Sequence, residues 1–223
     1  MRLKIFGSLL LLLLPWSIRR RLMNRFFGYR IAPTARIGFS LVLLDELVLD
    51  EGARIGHLNL IKSFDRLEMR VMAKIGDRNH ISGIGSRNAK HFGDEIGRKP
   101  EIVMGEHASI TGRHTIDCCN RIEIGRFSTI AGPGSHILTH GISIKRNRQM
   151  SSPVRIGQYC FVGAACVILK GAVLPDFSIL AANSTLHRAF DESYGLYSGV
   201  PAQRVRALDH DCAYFHRTIG YVP

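Results

Sequence analysis

The chain has 223 residues, 46% of them hydrophobic, and a formal net charge of +12. This suits one elongated domain with a continuous core, and it points to anionic partners: phosphates, nucleotides or acidic lipid. The five cysteines form no C-x-x-C pair, and no Gly-x-x-x-x-Gly-Lys followed by Ser or Thr occurs, which excludes a phosphate-cradling nucleotide loop.

Residues 1–30 hold seven basic side chains and no acid, so they carry +7 of the net +12. Ile5 to Ile18 is almost wholly apolar, but fourteen residues of helix reach only about 21 Å. A hydrocarbon core is about 30 Å thick, so a spanning helix is not expected. No small-x-small cleavage site follows; Arg19, Arg20 and Arg21 do. Beyond Pro15, Ile18, Leu22 and Phe26 share one helical face, with Arg19, Arg20, Arg21 and Arg25 mostly directed elsewhere. That pattern predicts a helix in the interface of an anionic membrane. A cap on the open end of a solenoid is the structural alternative, and one helix can do both.

From Ile31 the aliphatic positions recur every six residues: Ile31, Ile37, Leu43, Leu49, Ile55, Ile61 and Leu67. Ile-Gly pairs at 37–38, 55–56 and 75–76 mark turns. The frame then slips by two to Met69, Ile75 and Ile81. Residues 83–100 break the pattern with a polar, glycine-rich and basic segment, read as a loop leaving the repeat. The repeat resumes at Met104, Ile110 and Ile116, slips by two again, and continues through Ile124 and Ile130. His114 and Asn120 stand where small residues are the rule. A buried His114 needs a hydrogen-bond partner. Asp117 is the nearest candidate, and both a structural and an active-site role stay open for His114.

A second excursion, near 138–153, contains His140, Asn147 and Arg148. His136 falls on the six-residue frame and is expected at the coil edge. The repeat returns most cleanly over Ile156 to Thr185. There the first position of each six is Ile156, Val162, Ile168, Leu174 or Leu180, and the fifth is Cys160, Cys166, Ala172, Ser178 or Ser184. A period of six fits neither a helix nor a two-faced strand. It predicts an all-β parallel β-helix, in which three sixes make one triangular coil and stacked coils bury each other's aliphatics. The cysteines are read as reduced structural thiols of a cytosolic protein. The predicted organisation is a basic amphipathic helix over 1–30, the β-helix over 31–186, and a C-terminal extension over 187–223.

The run from 156 to 185 resembles the hexapeptide-repeat acyltransferases, and the resemblance covers roughly Ile31 to Leu208. The segment from Ile137 to Gln149, with its Leu-Thr-His, is similar to a sugar O-acyltransferase subgroup. So are Asp117 to Gly132, Cys160 to Pro175 and Tyr194 to Asp209. The resemblance implies a left-handed coil, an acyl-CoA donor, most often acetyl-CoA, and assembly as a homotrimer. It implies His140 as general base in direct transfer to a sugar hydroxyl. Asp117 or a backbone carbonyl would hold its tautomer, and His114 is a further candidate for the site. Gly163, Ala164, Ala165, Ala181 and Ala182 would line the donor groove, and Lys170 and Arg204, with Arg188 and Arg206, would meet its phosphates. Read from the residues, Asn147 and Arg148 are candidates to bind the acceptor or a phosphate, with a solvated loop as the alternative. The acceptor would be a cell-surface saccharide or its lipid-linked precursor at the cytoplasmic face of the membrane.

No metal is expected in that reading. Two alternatives stand beside it. One is a metal enzyme on the same fold, like the gamma-class carbonic anhydrases, built from His107, His114, His136 and His140. The other is a non-catalytic basic solenoid that binds membrane. Nucleic acid is not an expected partner, because stacking aromatics look sparse in the repeat.

Overall fold

The computed structural model describes residues 2–88 and 90–222, residues 2–6 by their backbone alone. The repeat winds into coils that give one strand each to three parallel sheets. The first sheet runs from Arg30–Ile31 to Val173–Leu174, the second from Arg36–Ile37 to Ala202–Ala207, and the third from Leu41–Leu43 to Thr185–Leu186. Within the coils each strand pairs in parallel with its counterpart one coil away, as Ile55 does with Ile75 and Ile75 with Ile110. The inward positions are aliphatic and almost wholly dry: Ile156, Val162, Ile168, Leu174 and Leu180 are each 0% exposed. Burial of side chains of this size stabilises by about 1.5–3 kcal/mol each, and the core is a stack of such columns.

The two-residue slips have a simple origin. In coils that carry them, the first-sheet strand places two residues inward, as Leu67 and Met69 do in Arg66–Met69 and Ile122 and Ile124 in Ile122–Ile124. In the first coil the strict frame misplaces one residue. Val42 is buried and Leu43 only half-buried, because the third-sheet strand Leu41–Leu43 turns its middle residue inward. A one-residue shift in the opposite direction puts Ile137 in the core and leaves His136 exposed, so His136 does not pack into the coil edge.

The parallel ladder also extends past residue 186. Ile179 and Leu180 pair with Leu196 and Tyr197, and Gly195–Gly199 continues into an antiparallel partner, Ala202–Ala207.

Polar side chains at one corner form a second column. Ser40 Oγ accepts from the Asn59 N–H at 2.9 Å, Asn59 Oδ1 from Asn79 N–H at 2.9 Å, and Asn79 Oδ1 from His114 N–H at 2.9 Å. His114 Nδ1 accepts from Ser135 N–H at 3.2 Å, and Ser135 Oγ from Cys166 N–H at 3.1 Å. Each side chain satisfies a buried backbone donor of the next coil, which is why polar residues are tolerated there.

The expectation of few stacking aromatics is overturned. His107, Phe127, Tyr159, Phe177 and Tyr194 stack face to face, with neighbouring centroids 4.7–5.5 Å apart. They are distant in sequence, but each occupies the same corner of successive coils, at a φ of 53–56°. Residues of the C-terminal segment cover the stack: Phe215 edges onto Phe177 and Tyr194, and Arg217 lies over Phe127 and Tyr159.

At the N-terminal end, α1 (Arg2–Leu11) and α2 (Trp16–Phe26) close the first coil. Trp16 Nε1 donates to the Ala35 carbonyl at 3.0 Å, and the Arg19 guanidinium to those of Gly38 and Ser40 at 2.9 and 3.0 Å. Arg19 and Met23 are buried, so Arg19 does not face outward as the helical pattern suggested. Among the described residues, no helix is long and apolar enough to cross a membrane.

Candidate active site

Both excursions leave the end of the third sheet, from coils on either side of one strand. Thr115–Asp117 pairs with His80–Ser82 below and His136–Leu138 above, so Asp117 lies level with Ser82 and Leu138. The 83–100 segment departs just beyond Ser82. The second excursion departs beyond Leu138 and folds as a hairpin, His140–Ser143 with Arg148–Ser151. Asp117 therefore sits between the roots of two loops.

His140 leans back onto Asp117, with Nδ1 2.6 Å from Asp117 Oδ2. A carboxylate only accepts, so Nδ1 carries the proton and donates it, and Nε2 is left with its lone pair. The imidazole is 34% exposed and the carboxylate 18%. Phe92, from the first excursion, packs against the imidazole with the two rings nearly perpendicular and their centroids 6.0 Å apart. Arg98 stacks on Phe92 at 4.7 Å and donates to the carbonyls of Ile84, Gly85 and Cys119, which folds the loop back on itself.

The two excursions are also tied to each other. Arg148 pairs with Asp94, and Glu95 accepts from both the backbone N–H and the hydroxyl of Ser151. Between them lies a cleft of about 510 Å³, lined by residues that include His91, Phe92, Arg146, Asn147 and Arg148.

The remaining predicted site residues fall in separate places. His114 does not meet Asp117. Its Nδ1 accepts from Ser135, so its proton is on Nε2, facing Thr111 Oγ1 at 3.0 Å. Burial lowers its pKa, with the nearby His136 adding to the effect. Gly163, Ala164, Ala165, Ala181 and Ala182 do gather, at the other end of the third sheet. Coil stacking there explains the glycine: a Cβ on Gly163 would lie 2.5 Å from the Ala182 backbone nitrogen. Lys170 is elsewhere, with its Cε 3.3 Å from where a Cβ on Gly141 would be, and so beside the root of the hairpin. Arg204 is on the C-terminal strand pair, 3.1 Å from Glu192. Asn147 and Arg148 both line the cleft, Arg148 engaged by Asp94.

The four histidines of the metal alternative do not converge. Among the described residues, the set of three ligand-type side chains with atoms within 4.8 Å of one another is Asp117, Cys119 and His140. Phe92, Arg98, Cys119 and Thr139 were not singled out as site residues from sequence. Cys119 carried a signal, since residues two apart in extended chain share a side and Cys119 follows Asp117 by two.

No family model matches the sequence, and no curated protein matches it. Solved structures do match. The polysialic acid O-acetyltransferase OatWY is similar with a TM-score of 0.60 and 17% identity, over 83% of this chain and 90% of that one. A hexapeptide-repeat acetyltransferase from Vibrio cholerae matches with a TM-score of 0.51 and 20% identity, over 93% and 88%. An N-acyltransferase from Bacillus cereus, in complex with dTDP-4-amino-4,6-dideoxyglucose and coenzyme A, matches with a TM-score of 0.51 and 14% identity, over 89% and 93%. The three-sheet coil with two excursions at one edge is thus the left-handed parallel β-helix. More narrowly, it is the fold that hexapeptide-repeat acetyltransferases share.

Proposed function

We propose that this protein is an acyl-CoA-dependent sugar O-acyltransferase, with acetyl-CoA as donor and His140 as general base. The observation that carries the reading is the bond from His140 Nδ1–H to Asp117 Oδ2 at 2.6 Å, between the roots of the two excursions. It leaves Nε2 as the basic nitrogen on a partly exposed ring beside a cleft. That nitrogen takes the proton of a sugar hydroxyl as the oxygen attacks the thioester carbonyl carbon. The tetrahedral intermediate collapses, the C–S bond breaks, and the same nitrogen returns the proton to the departing thiolate. The products are an acetyl ester and coenzyme A. Positioned proton transfer contributes about 10²–10⁴-fold, and co-binding of donor and acceptor supplies much of the rest.

The donor's pantetheine arm would lie along the corner of Gly163, Ala164, Ala165, Ala181 and Ala182, with Lys170 near the reacting end. That corner and His140 stand at opposite ends of one sheet. A homotrimer would set the corner of one protomer against His140 of the next, completing the site by cyclic symmetry. The acceptor would occupy the cleft at Asn147 and Arg148. The structural neighbours act on polysialic acid or bind a nucleotide sugar, which supports a saccharide, here a cell-surface polysaccharide or its precursor.

The outer face of α1 and α2 would hold the enzyme at the cytoplasmic face of the membrane. Leu9, Leu10, Leu13, Leu14, Ile18 and Phe26 are exposed there, with Arg21 and Arg25 beside them. The test of the reaction is thiol release from acetyl-CoA against a panel of nucleotide sugars, lipid-linked sugars and oligosaccharides. Acceptor-dependent release that is lost in His140→Ala supports the reading. Release that survives unchanged in that variant overturns it.

A further inference from the structure

Asp117 has two carboxylate oxygens, and both are used. Oδ2 faces His140, and Oδ1 accepts from Cys119 Sγ at 3.0 Å. The thiol is fully buried, and burial, followed by donation to Asp117, pushes its pKa up to about 12. At neutral pH it is therefore a proton donor and not a thiolate.

Thr139, also fully buried, closes the arrangement from the coil above. Its Oγ1 accepts from the backbone N–H of Cys119 at 2.7 Å and of Asn120 at 3.1 Å, and donates to the Asp117 carbonyl at 2.8 Å. One hydroxyl thus ties the backbone on both sides of Cys118, directly before the residue that is His140.

A carboxylate held by one oxygen can turn about its last torsion and offer His140 either oxygen, or neither in line. A second donor on Oδ1 removes that freedom. We propose that Cys119 and Thr139 form a positioning pair that fixes the plane of Asp117 and, through it, the tautomer and aim of His140. Neither residue touches substrate.

A metal site built from Asp117, Cys119 and His140 is the competing account of the same three side chains. The hydrogen bonds favour positioning: the thiol spends its proton on Oδ1 and the imidazole spends its own on Oδ2, so His140 Nδ1, the Asp117 carboxylate and Cys119 Sγ are already satisfied by one another. Zinc would need the thiolate.

The inference rests on the proposed reaction, so its experiment reads something besides turnover. Imidazole ¹⁵N spectra of the full-length protein would report the His140 tautomer in wild type, Cys119→Ser, Cys119→Ala and Thr139→Val, with kcat and KM for acetyl-CoA measured alongside. Wild type is expected to show one tautomer, with the proton on Nδ1. Cys119→Ala and Thr139→Val are expected to show a mixture and to lose about tenfold or more in kcat at unchanged KM. Cys119→Ser, which keeps a donor, is expected to recover the single tautomer and most of kcat. A single Nδ1–H tautomer in Cys119→Ala, in protein with a wild-type unfolding midpoint, would overturn the proposal. So would stoichiometric zinc in wild type that Cys119→Ser loses. Absence of acyl transfer from every acceptor would defeat the proposed reaction while the spectra still decide the positioning role.

Discussion

His140 and Asp117 come from adjacent coils, and backbone register brings them together. Asp117 pairs with Leu138, two residues before His140, and the chain turns outward there into the hairpin. The turn swings the imidazole down onto the carboxylate of the coil below, at 2.6 Å.

The two residues should therefore fail in different ways. His140→Ala removes the proposed proton acceptor and is expected to lower kcat by about 10²–10⁴-fold. Asp117→Asn keeps the shape but offers an amide that can turn its NH₂ toward Nδ1 and favour the wrong tautomer. Its loss should be smaller and again fall on kcat, with KM for acetyl-CoA little changed. Steady-state kinetics on both variants check this, and a loss confined to KM would contradict it.

How much of this was legible in the sequence depends on range. The six-residue period located the core columns, because at least one aliphatic per strand must point inward whatever the coil packs against. It failed at Leu43 and His136, where the corner is one residue shorter and one residue longer than the period, and the neighbour, Val42 or Ile137, takes the inward place. His140 was legible through its segment. The Asp117 contact to it was only one option, since Asp117 also lay near His114 in sequence and only the coil stacking separates the two. The aromatic stack was illegible for the same reason: its members become neighbours only when each coil's length, excursions included, is known.

The contacts holding the first excursion over His140 differ in weight. Asp94 and Arg148 pair with side chains 77% and 52% exposed, and such a pair contributes about 0–1 kcal/mol. Phe92 is 8% exposed and packs between His140 and Arg98. Phe92→Ala should therefore impair acyl transfer more than Asp94→Ala. Activity of the two single variants at saturating acetyl-CoA decides it, and a larger loss in Asp94→Ala would mean that the surface pair sets the loop.

His114 predicts a pH dependence of stability. Burial lowers its pKa below the ordinary 6.5, so the folded state favours the neutral ring more than the unfolded chain does. As pH falls below about 6.5, the unfolded chain binds a proton the folded form resists, and stability drops until the folded pKa is passed. Above about pH 6.5, the unfolded value, the contribution is fully present. Asn59 and Asn79 occupy the same column, so His114→Asn keeps an acceptor for the Ser135 N–H without a titrating ring. Urea unfolding between pH 5 and 8 should show wild type losing more stability toward acid than His114→Asn. Parallel curves would assign the acid sensitivity to other groups.

The N-terminal helices carry two faces, one packed on the coil and one exposed. Their inner face is spent on the coil through Trp16, Arg19 and Met23, so deleting residues 1–30 would uncap the solenoid along with any membrane contact. Substitution of the outer face avoids that. Leu10 and Leu13 are 53% and 79% exposed, and Phe26 is 73% exposed. Replacing Leu10 and Leu13 by Glu removes apolar area and adds repulsion from anionic lipid, while leaving the inner contacts intact. Full-length wild type is expected to float with vesicles containing phosphatidylserine and to release as salt rises, since the arginine contribution is screened. Leu10→Glu/Leu13→Glu should remain at the bottom of the gradient with a wild-type unfolding midpoint and unchanged thiol release from a soluble acceptor. Undiminished flotation of that variant would remove the outer face from any membrane role.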